Sequence, residues 1–166
     1  MIALTLAIAL AAAAPADPSL QPPALKPGLW TSTLAAERGR PLTLIMCVAE
    51  GRRSAVFEPW TDFGGAACTG RSVTRTPAGG WSFSASCLRP GGAVAAAKAE
   101  LSGDLQTSFT YATDDTVSGA PKARDNGELR SVTTGAYQGA CPADMPPGQA
   151  MMQLPNGSTV QIRQAR

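Results

Sequence analysis

The stretch that most constrains the fold lies between residues 77 and 87, where a turn sequence precedes a strictly alternating run. The residues PAGG combine proline with two glycines, which is typical of a tight connection between strands. After them, every second side chain is apolar or aromatic, and the positions between are serines. Because successive side chains of a strand point to opposite faces, the pattern predicts a hairpin whose second strand buries one face. The side chains predicted for that face are Trp81, Phe83, Ala85 and Cys87.

Strand patterns recur along most of the chain. Residues 28–36 and 41–49 are rich in Thr, Leu and Ile, and the polar connection ERGR between them suits a hairpin. Residues 105–113 and 128–139 add two further strand patterns. About seven strands with short connections predict an all-β fold, an antiparallel meander curved as a partial barrel or folded as a sandwich.

Three other segments are less regular. Residues 93–104 are rich in alanine, which favours a helix by intrinsic propensity, but their neighbours favour a strand, and we predict a strand. Residues 51–65 have room for one helical turn, and residues 142–156 contain too much Pro and Gly for regular structure.

One face of the predicted sheet is aromatic, and the other consists mostly of Ser, Thr and small residues. Aromatic residues make up only 5% of the chain, so we expect a modest core that depends on cross-links. The residues expected either to face a ligand or to form the core are Trp81, Phe83, Phe109 and Tyr111.

The chain contains four cysteines and no histidine. An even number of cysteines in an exported domain is typical of disulfides, so we predict two. The lack of histidine and of Cys-x-x-Cys spacing argues against a zinc site and a thioredoxin-like redox motif. The cysteines are Cys47, Cys68, Cys87 and Cys141.

Four cysteines allow three pairings. Cys68 and Cys87 lie near the ends of the predicted hairpin, and a bond between them would leave Cys47 for Cys141. The alternative joins Cys47 to Cys68 and Cys87 to Cys141. We favour this alternative, because each bond would tie an irregular segment to the sheet, where loop closure restricts the unfolded chain most.

The N-terminus has an apolar run followed by small residues and a polar, proline-rich stretch. A run of about 13 residues is shorter than the about 20 of a membrane-spanning helix and fits a secretory signal. We therefore expect a periplasmic or secreted protein with no transmembrane span after cleavage. The predicted organisation is a signal peptide at 1–16, a flexible linker at 17–25, a single β-domain at 26–149 and a polar C-terminal tail at 150–166.

Charge and residue content exclude several functions. The formal net charge is +2, and Lys and Arg form no basic stripe of the kind that binds nucleic acid. Without histidine, Ser-His-Asp, Cys-His and His-based metal sites are excluded, and no phosphate-binding loop is present. Dense acidic spots at 114–115 and 125–128 fit turns better than a calcium site. We expect no catalytic activity, metal or cofactor.

Two sequence motifs carry a family resemblance. KPGLW opens the predicted domain and TGAYQGACPADMPPGQ closes it, with the cysteine of IMCVAE and the hairpin C…GGWSFSASC between them. Together they resemble the exported proteobacterial domain-of-unknown-function family numbered 3617 over residues 26–149. The resemblance implies an envelope location and a small disulfide-linked β-domain, and it supplies no biochemical activity. The chain departs from the family in its alanine-rich segment and in the tail QAMMQLPNGSTVQIRQAR.

Two functional hypotheses follow. The first is a non-catalytic binding module of the cell envelope, whose curved sheet holds a small apolar ligand, a lipid or a segment of another envelope protein. It depends on the division into an aromatic and a Ser/Thr face. The second is a structural or interaction module without a ligand pocket, which meets its partner through a strand edge or the tail at 150–166.

Overall fold

The structure is a computed structural model, which describes residues 24–37, 39–50, 67–89, 91–154 and 156–162. The regular structure of these residues comprises nine β-strands and a 3₁₀ turn, Ala123–Asp125. The strands are β1 (Gly28–Ala36), β2 (Leu42–Val48), β3 (Ala67–Arg75), β4 (Trp81–Leu88), β5 (Val94–Ser102), β6 (Ser108–Ser118), β7 (Gly127–Gly139), β8 (Ala150–Gln153) and β9 (Thr159–Ile162).

All nine strands form one open, curved, antiparallel sheet in the order β3-β4-β5-β6-β7-β1-β2-β8-β9. Strands β3 to β7 follow one another as a meander, because short turns join neighbours that pair along their length. Strand β1 pairs with β7, and β2, β8 and β9 continue the sheet. Strands β3 and β9 are therefore its two edges.

This architecture confirms the predicted all-β class, the antiparallel meander and the presence of two disulfides. The alanine-rich segment forms β5, as predicted. The expectation of irregular structure over 142–156 is wrong for Ala150–Gln153, and β8 and β9 both lie in the region expected to be a polar tail. Pairing with β8 satisfies backbone N–H and C=O groups that β2 would otherwise leave unpaired.

Alternation divides the sheet into two faces. The inner face carries the core, and burial on β4 and β5 alternates with the strand period. Directly paired residues lie on the same face, so the strand register carries the inner face across the sheet. The residues of the main core cluster are Leu25, Trp30, Met46, Val48, Trp81, Phe83, Ala99, Leu101, Leu105, Phe109, Tyr111 and Ala150.

The disulfides join Cys47 to Cys141 and Cys68 to Cys87. The favoured pairing of Cys47 with Cys68 and Cys87 with Cys141 is therefore wrong. Cys68 and Cys87 are directly opposite each other in the β3–β4 register, so their side chains share one face. Cys141 reaches Cys47 because the connection after β7 passes β1 and β2 before β8 begins. Strand register therefore accounts for the Cys68–Cys87 bond, which the loop-closure argument did not favour.

The described residues contain no helix long and apolar enough to cross a membrane. The predicted signal peptide at 1–16 and the helical turn predicted within 51–65 lie outside the described residues.

Candidate functional site

The four residues predicted to face a ligand or to form the core lie together at one end of the inner face. Each is between 2% and 6% exposed. The rings of Phe83 and Tyr111 are 6.2 Å apart in an edge-on arrangement, and the Phe109 ring lies 5.6 Å from that of Trp30. These packed rings fill what we call the aromatic end of the inner face. The structure thus places Trp81, Phe83, Phe109 and Tyr111 in the core cluster.

The motif KPGLW closes the aromatic end. The Trp30 indole N–H donates a hydrogen bond to the Lys26 carbonyl over 2.8 Å, and the Lys26 N–H donates to the Leu105 carbonyl over 2.9 Å. The Lys26 ammonium lies 4.2 Å from the centre of the Tyr137 ring, a cation–π contact. Leu25, the last residue of the predicted linker, is only 1% exposed. The motif therefore has a structural role at this corner.

The second motif, around Cys141, forms a strap beside β2. Its disulfide to Cys47 is supported by two backbone hydrogen bonds, from the Cys47 N–H to the Gln149 carbonyl and from the Gly148 N–H to the Cys47 carbonyl. Met145 in the strap is buried. Cys141 therefore fastens the connection after β7 to the body of the sheet.

Inner-face side chains become smaller away from the aromatic end. On β4 they change from Trp81 and Phe83 to alanine and cysteine, and β5 and β6 follow the same trend. Smaller side chains on a curved sheet leave space that large ones would fill. The inner positions away from the aromatic end include Ala85 and Cys87 on β4, Ala97 and Ala95 on β5, and Thr113 and Asp115 on β6.

A hollow of about 170 Å³ lies in this region. Thr113 and Ser131 share a hydrogen bond of 2.7 Å between their hydroxyl oxygens across β6 and β7. The Asp115 carboxyl lies one inner position further along β6. We call this the polar hollow, and its inner-face lining consists of Ala36, Thr113, Asp115, Leu129 and Ser131.

The Asp115 carboxyl is the ionisable group on the inner side of the polar hollow. Its side chain is 28% exposed, and an Arg89 guanidinium nitrogen lies 3.9 Å from it. Burial raises the pKa of Asp115; Arg89 lowers it, and neighbouring Asp114 raises it further. Burial, followed by the charge of Asp115, raises the pKa of the Tyr111 phenol. The charge of Asp115 therefore affects the pKa of a phenol in the core.

A half-exposed apolar surface continues from the polar hollow along the inner face. Leu34 is the inner-face residue next to Ala36 on β1, two positions earlier in the chain. It pairs with Leu42 on β2. Leu44 pairs with Met152 on β8, which in turn pairs with Val160 on edge strand β9. Four of these side chains are partly buried, and Val160 is 40% exposed. We call Leu34, Leu42, Leu44, Met152 and Val160 the apolar patch.

Exposed apolar residues on the outer face are more scattered. Leu88 and Val94 pair at one corner of the sheet, and Val132 is 42% exposed between two alanines in the register. Scattered exposed apolar residues are normal on a protein surface, whereas contiguous patches mark binding surfaces. The apolar patch is therefore the better candidate for a ligand surface.

Metal coordination finds no support in the described part of the chain, where no three His, Cys, Asp or Glu residues are grouped to hold an ion. One buried polar group does stand out. The Ser32 side chain is 1% exposed, and its hydroxyl has no hydrogen-bond partner among the described residues. It lies beside Leu44 in the β1–β2 register, at the border of core and apolar patch.

Sequence reasoning missed the apolar patch because half of it lies in a segment where no strand was expected. Alternation in β1 places Leu34 on the same face as Trp30, and alternation in β2 places Leu44 on the same face as Met46. The half of the patch on these two strands could therefore be predicted. Met152 and Val160 lie in a segment whose composition suggests a polar tail. The Thr113 and Asp115 positions follow from the alternation of β6, but their lining of a hollow depends on the curvature of the sheet.

Comparison with known proteins gives a family and no activity. The family model described as Protein of unknown function (DUF3617) matches residues 25–141. No curated protein and no solved structure matches the chain significantly. The match begins at the buried Leu25 and ends at the disulfide cysteine Cys141, and it spans more than half of the 166 residues. The chain therefore belongs to the DUF3617 family of proteins of unknown function.

Proposed function

We propose that this protein is an exported, non-catalytic β-domain that binds a small apolar ligand, such as a lipid, on the inner face of its sheet. The observation that carries the proposal is the half-exposed apolar patch, which runs directly into the polar hollow. Apolar surface of this kind gains about 25 cal/mol for each Å² that a ligand removes from water.

The size of the polar hollow defines how a ligand would lie. A volume of about 170 Å³ is close to that of cavities which bind a benzene-sized molecule. It is smaller than the about 300–1,000 Å³ of pockets that enclose a drug-sized ligand. The hollow therefore takes one end of the ligand, and an apolar chain lies along Leu34, Leu44 and Met152.

Export is the second part of the proposal. The two disulfides support it, because disulfides persist in oxidising compartments and are rare in the cytosol. Intact-mass measurement of the protein recovered from the periplasm tests it. Loss of residues 1–16 and of about four hydrogens is expected. A full-length chain with four thiols in the cytosol would contradict export.

Ligand binding is tested by titrating the full chain with an uncharged naphthylamine fluorophore, whose emission rises in apolar surroundings. Val160→Glu places a charge on the apolar patch and should weaken binding at least about tenfold. Val132→Glu is the matched control, because Val132 is 42% exposed on the outer face and Val160 is 40% exposed on the inner face. No saturable binding, or equal losses in both variants, would overturn the proposed site.

The interaction module remains the second candidate, because β9 ends the sheet as an edge strand within the chain's final segment. An edge strand offers unpaired backbone groups to a partner strand. Deleting residues 150–166 does not separate the two candidates, since Met152 and Val160 belong to the apolar patch. Glu substitution at Val160 separates them better, because backbone pairing of an edge strand tolerates a changed side chain.

A further inference from the structure

We infer that the polar hollow selects an amphiphile whose head group donates hydrogen bonds and carries no negative charge, such as a long-chain alcohol or monoacylglycerol. This inference rests on the proposed function and names the ligand class of the same site. The geometry points to it in two ways. The polar groups that line the hollow can accept hydrogen bonds, and the nearby guanidinium groups already contact carboxylates.

The groups facing the hollow are mainly hydrogen-bond acceptors. Asp115 lies between Ala97 and Leu129 in the register, so its carboxyl is flanked by apolar side chains on both neighbouring strands. The Thr113 and Ser131 hydroxyls use one proton in the bond between them and keep lone pairs for a donor. A head group with an O–H can donate to the carboxyl and accept from the remaining hydroxyl proton.

Two described guanidinium groups near the hollow, those of Arg89 and Arg130, already contact carboxylates. Arg130 borders the hollow, but it pairs with Asp114 on the outer face, with its Nε 2.9 Å from Asp114 and a second guanidinium nitrogen 3.7 Å from Glu128. Arg89 is 3.9 Å from Asp115 itself. Glu37 also belongs to the lining, where its backbone N–H donates a hydrogen bond to the Arg130 carbonyl. Among the described residues that line the hollow, an entering carboxylate would therefore meet the like charge of Asp115, and the one guanidinium there already contacts Asp114 and Glu128.

The positions of the charges on adjacent strands support the same reading. Lys98 pairs with Asp114 in the β5–β6 register and thus shares the outer face with it, on the side of the sheet away from the hollow. Burial raises the pKa of Asp115, because the ionised carboxylate is already incompletely solvated before a second negative charge approaches. A neutral head forms hydrogen bonds there without that penalty.

Competition against the uncharged fluorophore tests the inference with the full chain. The competitors are 1-decanol and decanoate, which share one chain length, at about pH 8, where the acid is ionised. Decanol is expected to displace the fluorophore at concentrations at least about tenfold lower than decanoate. Asp115→Asn should reduce this ratio to about threefold or less, because the amide removes the like charge. Glu100→Gln, on the outer face of β5, is the control and should leave the ratio unchanged.

The outcomes separate this inference from the proposed function. Equal displacement by the two competitors, or stronger displacement by decanoate, would overturn the inference while the apolar site stands. Binding of the fluorophore that neither competitor displaces would overturn both. Decylammonium, which is ionised but carries no negative charge at this pH, should also displace the fluorophore at lower concentrations than decanoate, and this comparison decides the matter even where Asp115→Asn fails to fold.

Discussion

Leu44 and Met152 lie directly opposite each other on β2 and β8, with their side chains on the inner face of the sheet. Leu44 is inside the region that the family model matches, and Met152 is beyond its end. The two half-buried side chains therefore form one apolar surface from the family domain and the segment that follows it. That segment contributes two strands to the same sheet, and the proposed ligand surface depends on both parts.

Met152→Ser is expected to weaken binding of the uncharged fluorophore about fivefold, since about 40 Å² of lost apolar contact corresponds to about 1 kcal/mol. Met151→Ser is the control, because Met151 is also half-buried but points to the outer face beside Ile45. Fluorescence titration of both variants gives the comparison. A loss in Met151→Ser as large as that in Met152→Ser would place the ligand elsewhere.

Removing the Cys47–Cys141 disulfide should destabilise the protein more than removing Cys68–Cys87. The bonds close chain segments of 94 and 19 residues. Loop-closure entropy gives about 4.7 and about 3.2 kcal/mol for the two, a difference of about 1.5 kcal/mol. Urea unfolding of the two double Cys→Ala variants measures it. A larger loss for the hairpin bond would show that unfolded-chain entropy does not dominate here.

Ser32→Ala should leave the free energy of unfolding unchanged or raise it by up to about 1 kcal/mol, because the hydroxyl is buried without a partner among the described residues. Ser131→Ala, which breaks the bond to Thr113, should lower it by about 0.5–1.5 kcal/mol. Thermal unfolding of both variants provides the test. A marked destabilisation in Ser32→Ala would mean that a bound water or a partner satisfies the hydroxyl.

Asp104 makes the stability depend on pH. Its carboxylate accepts hydrogen bonds from the Thr107 N–H and hydroxyl and from the N–H groups of Ser108 and Gln106, which hold its pKa far below the usual range. A lowered pKa contributes stability above the unfolded value of about 3.9, and this contribution is lost as the pH falls below it.

Asp104→Asn should therefore lower Tm at neutral pH, and its difference from the unsubstituted protein should shrink at acid pH. Thermal unfolding between about pH 7 and pH 2 measures this difference on both sides of the unfolded pKa. Asp125→Asn serves as the exposed control. A difference that is constant with pH would show that the loop does not depend on the ionised carboxyl.

Most of the sheet could be predicted from local patterns. The alternation at Trp81 and Phe83 identifies a strand with one buried face, and the same rule extends to β1, β2 and β6. For the alanine-rich β5 the prediction depends on the neighbouring strand patterns, and pairing with both neighbours overrides helix propensity.

The predictions that were wrong concern features that depend on which strands become neighbours. The Cys68–Cys87 bond follows from register, and the Cys47–Cys141 bond follows from the insertion of β1 and β2 between β7 and β8. The first relationship lies within one hairpin, whereas the second joins strands that are far apart in sequence. Likewise, Val160 lies on the inner face only because β9 pairs with β8. The polar residues of that segment lie mostly at its outer positions, and composition alone does not predict which strand it pairs with.

The most direct test of the ligand surface is photo-crosslinking of the full chain with an uncharged long-chain alcohol that carries a diazirine in its chain, followed by peptide mapping. We expect labelling of inner-face residues on β2, β8 and β9, chiefly Leu44, Met152 and Val160, and suppression of that labelling by excess 1-decanol. Labelling confined to outer-face residues such as Leu88 and Val132, or labelling that decanol does not suppress, would contradict it.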